Sequence, residues 1–413
     1  MKYKHFYKCF FCVTIILGDD MKKTIKDFDI SNKTVVLRCD LNVPIKDNKI
    51  IDDNRIKMSV DTIKYILDNN AKVVILSHLG KVKTEEDREK NSLEIVCKRL
   101  NEYLDNKITF VTKTSDPSIV DIVNNLDLGT GILLENTRFE DIDNKKESNC
   151  DLDLAKFWAS LGDIFINDAF GTLHRGHSSN MGISKYLDSG IGLLVENELD
   201  NLDVLDNPVR PFAIIMGGSK ISDKIKIIES FIEKVDYLFI GGAMAYTFLV
   251  ALGYSVGKSL YEEDFVDYCR DLYDKYSDKI LLTKDVFGSY EFSNDTVKES
   301  YDIDNIPEDF QGFDIGEKTI EEYKSKLTGV KTVFWNGPLG VYEFSNYRNG
   351  TKEILDFIVN NVDTTILGGG DMVGAAAELG YLDKVTFAST GGGATLEYLE
   401  NKNLPGLEFI GEK

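Results

Sequence analysis

Paired cysteines are missing from this chain. Its six cysteines, Cys9, Cys12, Cys39, Cys97, Cys150 and Cys269, are scattered along 413 residues, and only Cys9 and Cys12 approach a C-x-x-C spacing. That excludes a disulfide framework and a thiolate metal centre, and it fits a reduced, cytoplasmic protein. Positive charge is also short, 48 Lys and Arg against 69 Asp and Glu, for a net charge of −21. Such a balance repels phosphate backbones and anionic bilayers, so neither nucleic acid nor membrane is expected as a partner. Long apolar runs are absent as well: the longest near the start, residues 9–17, is too short to span a bilayer. Lys2, Lys4 and Lys8 precede that run in the manner of a signal peptide, but no small-residue cleavage site follows, and Met21 opens a polar stretch like an ordinary start. Residues 1–20 are therefore set aside as an N-terminal extension.

What remains has the composition of a globular protein, with 43% hydrophobic and 28% charged residues, and its length predicts two or three domains. Short apolar runs alternate with amphipathic stretches from residue 34 onward: strands at 35–37, 73–76, 108–111, 132–134 and 164–166, with helices over 55–67 and 93–104. Ile56, Val60, Ile63 and Leu67 recur at steps of four, three and four, which places one apolar stripe against a sheet. The strands are apolar almost throughout, as in a parallel sheet buried on both faces. After a leucine-rich stretch ending before Pro208, a second block supplies strands at 212–215, 237–240, 280–282, 332–335, 365–367 and 385–387. The fold class read from this rhythm is α/β, two doubly wound parallel-sheet domains with a junction helix between them and a cleft for ligand.

The fingerprints of common nucleotide enzymes are lacking. Gly253 to Ser259 imitates a P-loop but holds three residues between its glycines instead of four and follows a helix, so Lys258 is rejected as a phosphate lysine. No G-x-G-x-x-G with a distal acidic residue is present, which argues against a nicotinamide dehydrogenase. Glycine instead follows strands five times in the second block, at Gly217-Gly218, Gly241-Gly242, Gly337, Gly368-Gly369-Gly370 and Gly391-Gly392-Gly393. Backbone N–H groups can approach phosphate there, and helix N-termini add a favourable dipole. Lys220 and Lys224 follow the first of these turns, at a helix start where cations oppose the dipole unless an anion is shared. The first block shows the complementary pattern, basic and polar side chains after strands: Asp40 and Asn42, His78, Arg138 and Arg175, with Arg55 at the start of a helix. Only nine arginines occur in the chain, and the guanidinium suits bidentate binding of phosphate and carboxylate.

Seven motifs, in order, resemble the phosphoglycerate kinase family: Val36-Leu37-Arg38-Cys39-Asp40-Leu41-Asn42-Val43-Pro44, Ser77-His78-Leu79-Gly80, Asn167-Asp168-Ala169-Phe170-Gly171, Gly217-Gly218-Ser219-Lys220, Trp335-Asn336-Gly337-Pro338, Gly368-Gly369-Gly370-Asp371 and Ser389-Thr390-Gly391-Gly392-Gly393-Ala394. The resemblance implies a 3-phosphoglycerate-binding domain over residues 21–190, a hinge helix over 191–207, a nucleotide-binding domain over 208–398 and a tail over 399–413 that returns to the first domain. It implies reversible phosphoryl transfer between 1,3-bisphosphoglycerate with ADP and 3-phosphoglycerate with ATP, dependent on Mg²⁺; a monomer is the default expectation, beside the cytoplasmic location read from the cysteines. By the same resemblance Asp40, Asn42, Arg55, His78, Lys81, Arg138 and Arg175 meet the triose. Lys220, Lys224, Gly242, Asn336, Glu343, Gly369, Gly370, Asp371 and Met372 meet the nucleotide. Asp371 resembles the family's magnesium carboxylate, Glu343 its ribose contact, and Arg55, Lys220 and Lys224 the catalytic cations. Two positions depart from the family: Lys81 stands where Arg is common, and Met372 where Ser or Thr usually follows the acidic residue. Met372 leaves two expectations open, a lost phosphate contact or a packing role. A non-catalytic nucleotide-binding or surface adhesion protein on the same fold is the alternative reading.

Overall fold

The computed structural model describes residues 21–413, so the extension expected over 1–20, with Cys9 and Cys12, lies outside the described residues. Two six-stranded parallel sheets organise the chain. Across the first run Ile108–Val111, Gly131–Leu134, Lys72–Leu76, Thr34–Cys39, Ile164–Asp168 and Asp188–Ile191. Val36 sits beside Val74 on one neighbouring strand and Phe165 on the other. Successive side chains of the central strand serve opposite faces: Val35 and Leu37 join the core that contains Ile56, Ile63 and Leu67, while Val36 joins Trp158 and Phe165. The expected apolar stripe is the buried face of the helix Asn54–Asp68. That helix gives way at Asn69 to Asn70, whose φ of +58° only a few residue types tolerate.

The second sheet runs Ile280–Leu281, Tyr237–Ile240, Phe212–Met216, Thr332–Asn336, Thr364–Gly368 and Phe387–Ala388. The last strand begins later than the expected 385–387. Thr365 and Thr386 first exchange backbone-to-hydroxyl bonds of 3.0 and 2.9 Å, and regular pairing starts only at Phe387 opposite Ile366. In both sheets strand order reverses beside the first strand, at Thr34–Cys39 and at Phe212–Met216, so ligand crevices are expected beyond the carboxyl ends of these strands. A small antiparallel sheet of Asp285–Ser289, Glu299–Asp302 and Gln311–Ile315 flanks the second crevice.

Between the sheets stands the helix Leu193–Asp203, followed by the turn Val204–Asp206. Its N–H groups at Leu194 and Val195 donate to Asp168 Oδ1 at 2.9 and 3.2 Å, so a carboxylate at the end of a first-sheet strand caps the connecting helix. Val195, Leu199 and Leu202 share one core with Phe170 of the first block and Phe212 of the second. The C-terminal residues return to the first sheet's side: Gly406 N donates to Leu173 O at 2.8 Å, Lys23 N to Gly411 O at 2.7 Å and Lys413 N to Met21 O at 2.8 Å. No helix among the described residues is long and apolar enough to cross a membrane.

Candidate functional site

The carboxyl ends of the first sheet gather a basic cluster around one buried acid. Asp40, at the end of Thr34–Cys39, accepts a bond from Arg55 Nη1 and lies 3.8 Å from His78 Nδ1. Asn42 turns its side-chain carbonyl to Gly80 N at 2.8 Å, fixing the loop that carries the exposed Lys81. Arg138 reaches Gly80 O with Nη1 at 3.4 Å, while Arg175 Nε donates to His174 Nε2 at 3.1 Å. His78 is buried, and burial together with the charges of Arg38, Arg138, Arg175 and Arg55 holds its pKa well below the ordinary histidine range. It is therefore neutral at pH 7. Arg38 Nη2 lies 3.2 Å from its Nδ1 and must donate there, which puts the imidazole proton on Nε2. Arg38 is itself fully buried, tied to Ser179 Oγ at 2.8 Å and facing Glu147, so its part is structural. Arg138 Nε and His174 Nδ1 are buried and find no protein partner among the described residues.

In the second sheet the corresponding crevice is a cleft lined by Gly218, Gly242, Phe313, Leu339, Glu343 and Asp371 among others. Its walls are backbone-rich at one end and apolar at the other. Lys224 caps the helix Ile225–Phe231 and donates its ammonium to Asn336 Oδ1; burial lowers its pKa, opposed by the charges of Asp223 and Asp371. Asn336 is buried and donates to Gly368 O at 2.8 Å. A Cβ at Gly369, where φ is +86°, would lie 2.4 Å from Asn336 Nδ2, so only glycine lets this turn close over the asparagine. Gly370 and Asp371 open the helix Gly370–Glu378 and are exposed, as is Lys220 on the turn after Phe212–Met216.

Met372 is corrected by the structure. Its side chain is fully buried in the core with Trp335, Leu367 and Ala376, so the residue packs and offers the cleft no side-chain contact. The third residue of the helix Gly370–Glu378, in its first turn, faces inward, which the motif alone did not reveal. Arg55 and Lys224 stand on opposite domains, each held by a polar neighbour of its own domain.

Sequence reasoning passed over two groups. Glu198, buried in the connecting helix, accepts from Ser389 Oγ at 2.7 Å, Thr390 N at 2.7 Å and Thr390 Oγ1 at 2.6 Å. Thr390 then lines a small cavity with Asp40, Arg55 and Gly171, so the second domain reaches the first at this point. Asp314 is the other, a buried acid on the wall of the second-sheet cleft. Single acids in ordinary surroundings carry no spacing signal, though Ser389-Thr390 lay inside a quoted motif.

A family model described as phosphoglycerate kinase matches residues 25–402. The phosphoglycerate kinase of Enterococcus faecalis is 52% identical over 395 residues, covering 95% of this chain and all of the relative. That of Listeria innocua is 51% identical over 394 residues with the same coverage. Among solved structures, phosphoglycerate kinase from Coxiella burnetii superposes with a TM-score of 0.85 at 34% identity, and that from Pyrococcus horikoshii with 0.80 at 30%; each comparison covers 94% of this chain and 98% of the other.

Proposed function

The chain belongs to the phosphoglycerate kinase family, glycolytic phosphotransferases with a carboxyl acceptor, and from that premise we propose which of its residues bind each substrate and carry the transfer. The first domain takes 3-phosphoglycerate or 1,3-bisphosphoglycerate, and the second takes ATP or ADP. The observation that carries this assignment is the pair of buried donors without protein partners, Arg138 Nε and His174 Nδ1, inside a cluster of arginines. Buried polar atoms are nearly always bonded, so such atoms are reserved for an anion.

On this reading Arg138 and Arg175 hold the phosphate end of the triose. Asp40, Asn42 and His78 orient its hydroxyl and carboxylate, with His78 donating from Nε2. Lys81 supplies a charge at the rim without the fork of an arginine. Gly242 and the apolar end of the cleft receive the base, Glu343 accepts from the ribose, and Lys220, Asn336 and the Gly369-Gly370 turn face the phosphates. The helix Gly370–Glu378 presents its N-terminus and Asp371 to the same place. A lone carboxylate suits Mg²⁺, which keeps water and phosphate oxygens as its other ligands; no group of three or more His, Cys, Asp or Glu able to hold a metal occurs among the described residues. Bound with the nucleotide, Mg²⁺ would neutralise charge on the phosphate oxygens.

The acceptor carboxylate is already ionised at neutral pH, so no general base is required. Positioning and charge neutralisation suffice, and Arg55, Lys220 and Lys224 supply fixed positive charge around the in-line transfer. Closure of the two domains about the helix Leu193–Asp203 brings the substrates together and excludes water. Four free cysteines among the described residues, Cys39, Cys97, Cys150 and Cys269, agree with a cytoplasmic location, and a monomer contains both halves of the site. The adhesion reading draws on no feature of this cleft. Arg175→Ala tests the triose assignment: calorimetric titration should show affinity for 3-phosphoglycerate falling about ten- to a hundred-fold, the loss of one charge-assisted contact. Unchanged affinity would remove Arg175 from the site.

A further inference from the structure

Asp314 is 2% exposed on the wall of the nucleotide cleft, at a point where three segments meet. Its Oδ1 accepts from Ile315 N at 3.0 Å and its Oδ2 from Gly350 N at 2.9 Å, in the first turn of the helix Asn349–Asn361. Gly340, at the other end of the segment that leads into this helix, packs against the same carboxylate. A Cβ on Gly340 would lie 2.4 Å from Oδ1 and one on Gly350 2.5 Å, so both glycines leave room for the acid. The neighbouring Val341 N donates to Phe313 O at 2.8 Å, and Val341, Tyr342 and Glu343 then face the cleft.

We propose that Asp314, in its ionised form, is a positioning residue for nucleotide binding: its carboxylate bonds the first turn of the helix Asn349–Asn361 and packs against Gly340, and so fixes the two ends of the loop that carries Val341 and Glu343 beside the cleft. This rests on the reading of that cleft as the nucleotide site. The carboxylate does not touch the reacting atoms. Protonation weakens its acceptance from Gly350 N at one end of that loop, so the loop loosens and the nucleotide loses part of its wall.

The surroundings make this a titration near neutrality. Burial pushes the Asp314 pKa up to about 7, against the bonds from Gly350 and Ile315 and the charge of Lys298. Lys298 is the cation facing it; its Nζ donates to Asn346 O at 2.9 Å and lies 3.9 Å from the Phe287 ring centroid. Tyr246, from the helix Met244–Ala251, adds a phenol whose own pKa is raised by burial and by Asp314, and it stays neutral in this range. The helix Asn349–Asn361 contributes backbone N–H groups of Asn349 and Gly350. Glu343 and Asp371 are exposed at the mouth.

Calorimetric titration of MgADP between pH 8 and pH 6 tests the proposal in the full chain. If only the ionised form is competent, its fraction falls about tenfold over that range and the apparent Kd rises by the same factor. Asp314→Asn should bind at pH 8 at least as weakly as the unaltered protein does at pH 6, and keep only the slope due to the nucleotide's own phosphates. Its kcat at saturating nucleotide should be unchanged, with the loss confined to KM. Lys298→Met removes the facing cation and should move the transition to higher pH, which keeps the test open if the Asn variant does not fold. Equal pH slopes in the unaltered protein and Asp314→Asn, or an unmoved transition in Lys298→Met, would overturn the proposal while leaving the cleft as the nucleotide site. Absence of MgADP binding at every pH would overturn both.

Discussion

Met372 lies in the first turn of the helix Gly370–Glu378 with no exposed surface, in the same core as Trp335 and Leu367. A serine there would leave a cavity and bury a hydroxyl with no partner arranged for it. Met372→Ser should therefore lower stability by about 2 to 5 kcal/mol without tightening MgADP, read by urea unfolding and by nucleotide titration. Tighter binding at unchanged stability would restore the idea of a missing phosphate contact. Residues such as Arg138, Lys224 and Asp371 were legible because their chemistry follows strands in recurring motifs. Asp314 and Glu198 were not, since each gains its role from backbone N–H groups and hydroxyls that folding brings from distant segments.

At the scale of elements, the helix Leu193–Asp203 is fastened to both domains. Asp168 holds its N-terminus to the first domain, and Glu198 holds its middle to Ser389 and Thr390 of the second. Glu198→Ala leaves Thr390 N and Thr390 Oγ1 without an acceptor and Ser389 Oγ with Thr395 Oγ1 alone. The expected result is a loss of about 2 to 5 kcal/mol in chemical denaturation together with a lower kcat, because Thr390 no longer follows the helix toward Arg55. Stability and kcat both at the unaltered level would show that the helix does not couple the domains through this residue. Central strands such as Thr34–Cys39 and Phe212–Met216 were readable because burial on both faces demands continuous apolar side chains. The antiparallel strands Asp285–Ser289, Glu299–Asp302 and Gln311–Ile315 mix Gly, Ser and Asp with few apolar residues, so neither alternation nor an apolar run announced them.

The molecule as a whole divides its labour between two sheets whose carboxyl ends carry opposite kinds of site. The first collects arginines around Asp40, and the second exposes glycine turns and a helix N-terminus beside Lys224. The alternation of strands and helices made that division legible. The contacts between domains were not, because they depend on a helix whose backbone N–H groups and Glu198 reach partners 26 to 192 positions away in sequence. The central claim is that Arg55 and Lys224, from opposite domains, act together on the transferring phosphoryl group. The direct measurement is steady-state formation of 1,3-bisphosphoglycerate from 3-phosphoglycerate and MgATP by the unaltered protein, Arg55→Ala and Lys224→Ala, with folding of each verified. Mg²⁺-dependent turnover is expected, with kcat lowered in both variants by a larger factor than KM is raised. Variants in which only KM changes, or a folded unaltered protein without turnover, would contradict it.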